Sequence, residues 1–139
     1  MKASLLYRIA SVLLVLFAIG HTLGFRQTNP EWGVGPLIDS MRSIHFDAQG
    51  FSLTYWGIFT AFGLFFSVFL SFAAVLAWLL AGLPPETLAQ VRSIAWALAI
   101  SFVAVTALSW RYAFTTPIVF SFLITVCLIA AAWLSAPPS

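Results

Sequence analysis

Charge is scarce in this chain. Its 139 residues include six Lys/Arg and four Asp/Glu, 7% in all, where a water-soluble domain carries about 25%. Hydrophobic residues make up 62% and mean hydropathy is +1.03. A domain this small buries only about two-thirds of what its unfolded chain exposes. So much apolar surface therefore excludes a soluble globular domain, and equally a disordered chain. The pI of 9.1 rests on a net charge of +2, too little for a phosphate-binding footprint, and no nucleic-acid partner is expected. Cysteine is nearly absent. Cys127 stands alone in an apolar stretch, which excludes an internal disulfide and a Cys-rich metal site; it reads as a small hydrophobe. Apart from Glu86 at the very start of the third, no carboxylate falls inside a candidate span, which argues against an ion-coupled pump or carrier. The chain has no phosphate-cradling glycine loop and no nucleophile elbow. Two histidines without His-x-x-x-His spacing are too few for a metal site; a bis-His haem would need His21 and His45 on opposed rigid helices, and His45 reads as part of a surface helix, so no metal and no cofactor is expected.

What is present are four long uncharged stretches. A transmembrane helix needs about 20 apolar residues, and the charges divide the chain accordingly. The expected spans run from about Leu6 to Phe25, Leu53 to Ala81, Pro85 to Trp110 and Pro117 to Ser135. The predicted fold class is an all-α polytopic membrane protein, a single domain of four helices in an up-down bundle. Backbone groups in lipid must be satisfied internally, and stretches such as Ala73-Ala74-Val75-Leu76 lack the alternation a barrel strand needs. Lys2 and Arg8 ahead of Ile9–Ile19 resemble a signal peptide, but apolar residues continue to Phe25, and an uncleaved first helix is expected. Gly82 suits the end of the second helix. Pro84 and Pro85 suit the start of the third, with Glu86 at its positive end. Thr116 and Pro117 suit the start of the fourth, and Pro137-Pro138 its stop. The second span, at about 44 Å, exceeds a ~30 Å hydrocarbon core and must tilt, kink near Gly57 or Gly63, or project beyond it.

The loop from Arg26 to Ser52 holds turn signals at Asn29-Pro30 and Gly33-Val34-Gly35-Pro36. Beyond them Leu37, Ile38, Met41, Ile44 and His45 share a helical face, which predicts an amphipathic interfacial helix over about 36–46. Lys and Arg are balanced three against three between the two sides, while every acid except Glu86 lies on the long-loop side. This favours a multi-pass protein of the cell inner membrane with both termini cytoplasmic. Trp56, Trp110 and Tyr112 mark one interface; Trp78 and Trp133 mark the other.

Polar groups at membrane depth are the natural functional candidates. His21 is the one ionisable group well inside a span. Gly20 and Gly24 flank it, a spacing that suits close helix packing. Two readings stand side by side: a structural hydrogen bond closing the bundle end, or an acid–base group in a loop-side pocket. His45, Asp47 and Tyr55 are the other candidate catalytic residues, converging with His21 from the loop. Seven of the 14 Phe lie between positions 51 and 72. Phe59, Phe62, Phe66 and Phe69 form a stripe that serves packing or lines a pocket for a lipid-like ligand, with Trp56 and Arg111 at its interface. Arg111 could also neutralise Asp47 or an anionic headgroup. Ser67 and Ser71, and Ala97 and Ser101, offer small faces for helix contacts.

The strings Gly20-His21-Thr22-Leu23-Gly24-Phe25-Arg26, Met41 through Gly50, and Tyr55-Trp56 followed by Phe62-Gly63-Leu64 resemble a group of small uncharacterised bacterial four-helix membrane proteins. The resemblance spans the first helix into the third. It implies architecture and a bacterial source, and no activity. In that group an acidic residue often follows the Tyr-Trp pair, where this chain has Gly57. The favoured expectation is a non-enzymatic membrane protein, an accessory subunit or a binder of a lipid-like molecule. Its partners would be membrane lipids, with a second copy or another membrane protein also open. The alternative is a membrane-embedded enzyme acting on an isoprenoid, sterol-like or quinone substrate, with His21 as acid–base group. A channel would need several copies, because four helices leave little room for a pore.

Overall fold

The computed structural model describes residues 2–136. It is mostly helical. Helix α1 runs Lys2–Gly24, and a 3-10 turn spans Pro30–Trp32. Helix α2 covers Gly35–Ser43, strands β1 and β2 cover His45–Ala48 and Phe51–Thr54, and α3 covers Tyr55–Ala81. Helices α4 (Pro85–Gln90), α5 (Arg92–Tyr112) and α6 (Thr115–Leu134) complete the chain. Four of these, α1, α3, α5 and α6, are long and apolar enough to cross a membrane. Contacts divide the chain into two compact units, Met1–Ala18 with Leu70–Ser139, and Ile19–Phe69.

Several expected boundaries shift. The third span is two helices, because Val91 leaves helical geometry at φ −94°, ψ 16°. Helix α6 starts at Thr115, so Pro117 sits in its first turn, where a missing N–H costs nothing. Gly82 follows α3 as expected, but without the left-handed conformation of a glycine cap. Helix α3 is unbroken through Gly57 and Gly63, and its 27 residues reach about 40 Å. The stop expected at Pro137-Pro138 lies outside the described residues.

The interfacial helix is shorter than expected. It ends at Ser43, and the segment after it is a β-hairpin. His45 therefore belongs to β1 and not to the helical face of Leu37 and Met41. The hairpin turns at Gln49-Gly50, with φ of 53° and 86°, the left-handed pair of a two-residue hairpin loop. The Asn29 side chain accepts from the Glu31 N–H at 3.0 Å and caps the 3-10 turn.

In the first unit alanines make up about half of the buried hydrophobic residues. Ala3, Tyr7, Ala10, Leu14 and Phe17 repeat at three and four along α1 and are buried. Leu70, Ala73, Ala74 and Ala77 of α3, Ala95, Leu98, Ala99 and Phe102 of α5, and Ile124, Leu128, Ala131 and Ala132 of α6 are buried as well. Larger side chains point outward: Val75, Leu79, Ile100, Leu108, Phe122 and Trp133 are all more than a third exposed. Helices surrounded by lipid gain nothing from hiding Leu from an equally apolar solvent, and gain from small residues that let backbones approach.

Polar side chains stitch these seams. Ser4 donates to the Ala81 carbonyl at 2.6 Å and Ser11 to the Ala74 carbonyl at 2.8 Å, so α1 and α3 run antiparallel here. Thr106 of α5 bonds Thr125 of α6 at 2.9 Å. Arg92 Nε donates to the Ala132 carbonyl at 3.2 Å, placing a cation at the negative end of α6. Tyr7 Oη lies 3.2 Å from Ser135 Oγ, and Ser135 already donates to the Ala131 carbonyl at 2.7 Å. The tyrosine must then be the donor.

Tyr7→Phe removes that donor and leaves Ser135 its own bond. The expected loss is about 0.5–1.5 kcal/mol, read by denaturant titration of the purified protein in mixed micelles. An unchanged midpoint would show that the α1–α6 bond contributes nothing.

Candidate functional site

The candidate site lies in the second unit, where the end of α1 meets the first half of α3. His21 follows Gly20 on the last turn of α1 and is half-buried. Its Nε2 lies 3.0 Å from the Gly63 carbonyl oxygen. A carbonyl only accepts, so Nε2 carries the hydrogen, and Nδ1 takes no part in this bond. The ring is stacked on Phe25, with centroids 5.1 Å apart and planes at 12°, and meets Phe66 edge-on at 4.9 Å.

The same carbonyl serves a second donor. Ser67 Oγ reaches the Gly63 oxygen at 3.2 Å, and Thr22 Oγ1 donates to Ser67 Oγ at 2.8 Å. Thr22 and His21 thus reach from α1 to one turn of α3. Gly63 is a requirement of this geometry: a Cβ there would overlap the Phe25 ring. At Gly20 and Gly24 a Cβ would meet nothing within 4 Å. The close approach expected at those two glycines lies instead at Gly63.

Aromatic contacts extend from this clasp in both directions. Phe25 touches Phe59 at 5.8 Å, and Phe59 touches Trp56 at 5.6 Å. The Arg42 guanidinium stands over the Trp56 ring at 4.3 Å, and that of Arg26 over Phe25 at 5.2 Å, distances at which a cation is attracted to a ring face. At the other end Phe66 stacks on Phe69 at 6.1 Å. The expected Phe stripe therefore splits. Positions 59, 63 and 66 fall within an arc of about 60° around the helix. Phe62 falls outside that arc, is 66% exposed, and meets Phe65 edge-on at 6.1 Å.

The remaining candidates do not join His21. His45 Nδ1 lies 3.0 Å from the Ser43 carbonyl, and the residue is exposed. Asp47 is exposed on β1 opposite Ser52. Tyr55 opens α3 and its ring contacts Phe46 at 5.0 Å. The Arg111 guanidinium stands over Tyr112 at 5.1 Å, at the end of α5 in the first unit. Among the described residues no three His, Cys, Asp or Glu side chains cluster as metal ligands would. The partners of His21 are a carbonyl and two phenyl rings, and no carboxylate is among them.

Sequence reasoning missed Thr22, Phe25 and the role of Gly63. A polar Thr beside His21, and Gly63 four residues before Ser67, were the available signals: together they place two donors on one helix and an accessible carbonyl on the other. The Thr54 cap was also legible, since Thr54 Oγ1 accepts from the Gly57 N–H at 3.1 Å at the start of α3.

Gly63→Ala should cost about 1–3 kcal/mol by forcing Phe25 off its stack. The same substitution in a Phe25→Ala background should cost much less. A double-mutant cycle by denaturant titration reads the difference, and equal costs in both backgrounds would refute the close approach.

Comparison with protein-family models, with curated proteins and with solved structures finds no match. The resemblance carried by the histidine-glycine string stands without a matching relative, and the function rests on the side chains themselves.

Proposed function

We propose that this chain is a multi-pass membrane protein without chemistry of its own, acting as an accessory subunit or holding a lipid-like molecule against its aromatic surface. One observation carries the non-catalytic reading: the Nε2 hydrogen of His21 is committed to the Gly63 carbonyl, and its ring is held by Phe25 and Phe66. A general acid or base must reach the reacting group directly or through one water. The fold uses one nitrogen of this histidine, and among the described residues no second titratable group stands beside it to complete an acid–base pair, since His45, Asp47 and Tyr55 each have other neighbours.

Four helices of the required length and apolarity support the membrane setting. So does the large share of alanine among the buried residues, together with the many Leu, Val and Phe that are exposed. The outward face of α3, with Phe62, Phe65, Val68 and Phe72 each more than 60% exposed, is where acyl chains, a second copy or a partner's helix would lie. The cell inner membrane with both termini cytoplasmic is the setting that fits the acids gathered on the long-loop side.

His21→Ala should lower stability by about 1–3 kcal/mol, the sum of one hydrogen bond and its ring contacts. His21→Gln keeps an N–H donor and should recover part of that loss. Both variants should remain in the membrane after an alkaline wash, and the purified wild type should retain lipid in native mass spectrometry. If His21→Gln kept full stability but altered the lipid composition of cells producing it, the enzymatic alternative would replace this reading.

A further inference from the structure

The β-hairpin belongs to neither the clasp nor the spans, and its register gives it two unlike faces. Residues directly opposite in an antiparallel pair share a face, and neighbours along a strand alternate. The pairs His45–Thr54 and Asp47–Ser52 make one face, wholly polar. The pairs Phe46–Leu53 and Ala48–Phe51 make the other, wholly apolar. Phe51 is 69% exposed and Leu53 37% exposed, so the apolar face is not closed over by the chain.

The position of this face identifies its occupant. Strand β2 ends at Thr54 and α3 begins at Tyr55, with no linker between them. The hairpin thus stands where α3 enters the apolar layer. Tyr55 and Trp56, the residues that follow, are of the kind that settles at a headgroup boundary, and Tyr55 touches Phe46 of the hairpin. Charge does not recruit it: residues 26–54 hold Arg26 and Arg42 against Glu31, Asp39 and Asp47, a balance that gives no pull toward anionic headgroups.

We propose that the hairpin is a membrane-surface anchor, with Phe51 and Leu53 seated in the headgroup–acyl boundary of the bilayer that α3 crosses and with His45 and Asp47 facing water. A monotopic element of this kind binds through its buried apolar area. The inference rests on the membrane reading above, and its test separates the two.

The test uses the full-length protein in phosphatidylcholine vesicles, with Cys127→Ala removing the one native thiol. A fluorophore is attached in turn at Phe51→Cys, Asp47→Cys and Val68→Cys. Val68 is 68% exposed in the middle of α3 and reports on the span itself. Lipids brominated near the headgroup should quench the label at 51 severalfold more than the label at 47. Aqueous iodide should show the opposite order. Lipids brominated deep in the acyl chain should quench the label at 68. If 68 is quenched and 51 responds only to iodide, the anchor is refuted while the span stands. If 68 responds to iodide as well, the membrane reading fails with it. A parallel Phe51→Leu variant, labelled at 47, confirms that the hairpin keeps its fold when the aromatic ring is gone; loss of the order between lipid and water quenching there would also count against the anchor.

Discussion

The constraint on which this structure depends is that its surroundings are as apolar as its interior. A soluble bundle holds together because water expels its leucines. Here many of the leucines, valines and phenylalanines already face outward, and burying them would gain little. Cohesion comes from what distinguishes one helix face from another: alanines that let backbones approach, and hydroxyls that find a carbonyl across the seam. Ser4 and Ser11 each do this in the first unit, where Thr106 also meets the Thr125 hydroxyl across the seam; in the second unit Thr22 donates across it to the Ser67 hydroxyl. These groups are the polar minority in helices otherwise poor in them, and each has a partner.

His21 follows the same logic. Its ring is the bulkiest polar group along α1 past the first turns, and leaving its N–H unpaired beside phenylalanines would be costly. The Gly63 carbonyl is reachable because residue 63 has no side chain. The glycine that admits Phe25 thereby also exposes an acceptor for His21 and Ser67. One absent Cβ organises three contacts. A histidine at membrane depth is the obvious candidate for chemistry, and this one is held by hydrogen bonding and ring stacking before any substrate is considered.

The long helices were legible because lipid imposes a single pattern, an uncharged stretch of sufficient length, and ten charges among 139 residues mark its ends. The break at Val91 was not, since no Pro or Gly stands there and the turn depends on how α4 meets α5. The hairpin was missed because Ile44 and His45 complete a helical face when read at a period of 3.6, and the turn at Gln49-Gly50 is not one of the strongest hairpin dipeptides. Phe46, Ala48, Phe51 and Leu53 are not evenly spaced by two; they share a face only once the turn has reversed the chain. At the site, the sequence identified His21 as the residue to examine and left both of its readings open. It assigned the close approach to Gly20 and Gly24, because a spacing motif says that two backbones can meet there and not that a neighbour arrives.

The direct join between Thr54 and Tyr55 has a further consequence. Each residue advances a helix by about 100°, and a strand has its own alternation of faces. With no spacer at the junction, the orientation of the sheet about the helix axis is fixed by chain length alone. A single inserted or deleted residue there would swing the aromatic side of the hairpin away from its present azimuth. It would also displace the Thr54 hydroxyl that caps the helix. The junction should therefore tolerate changes of residue far better than changes of length.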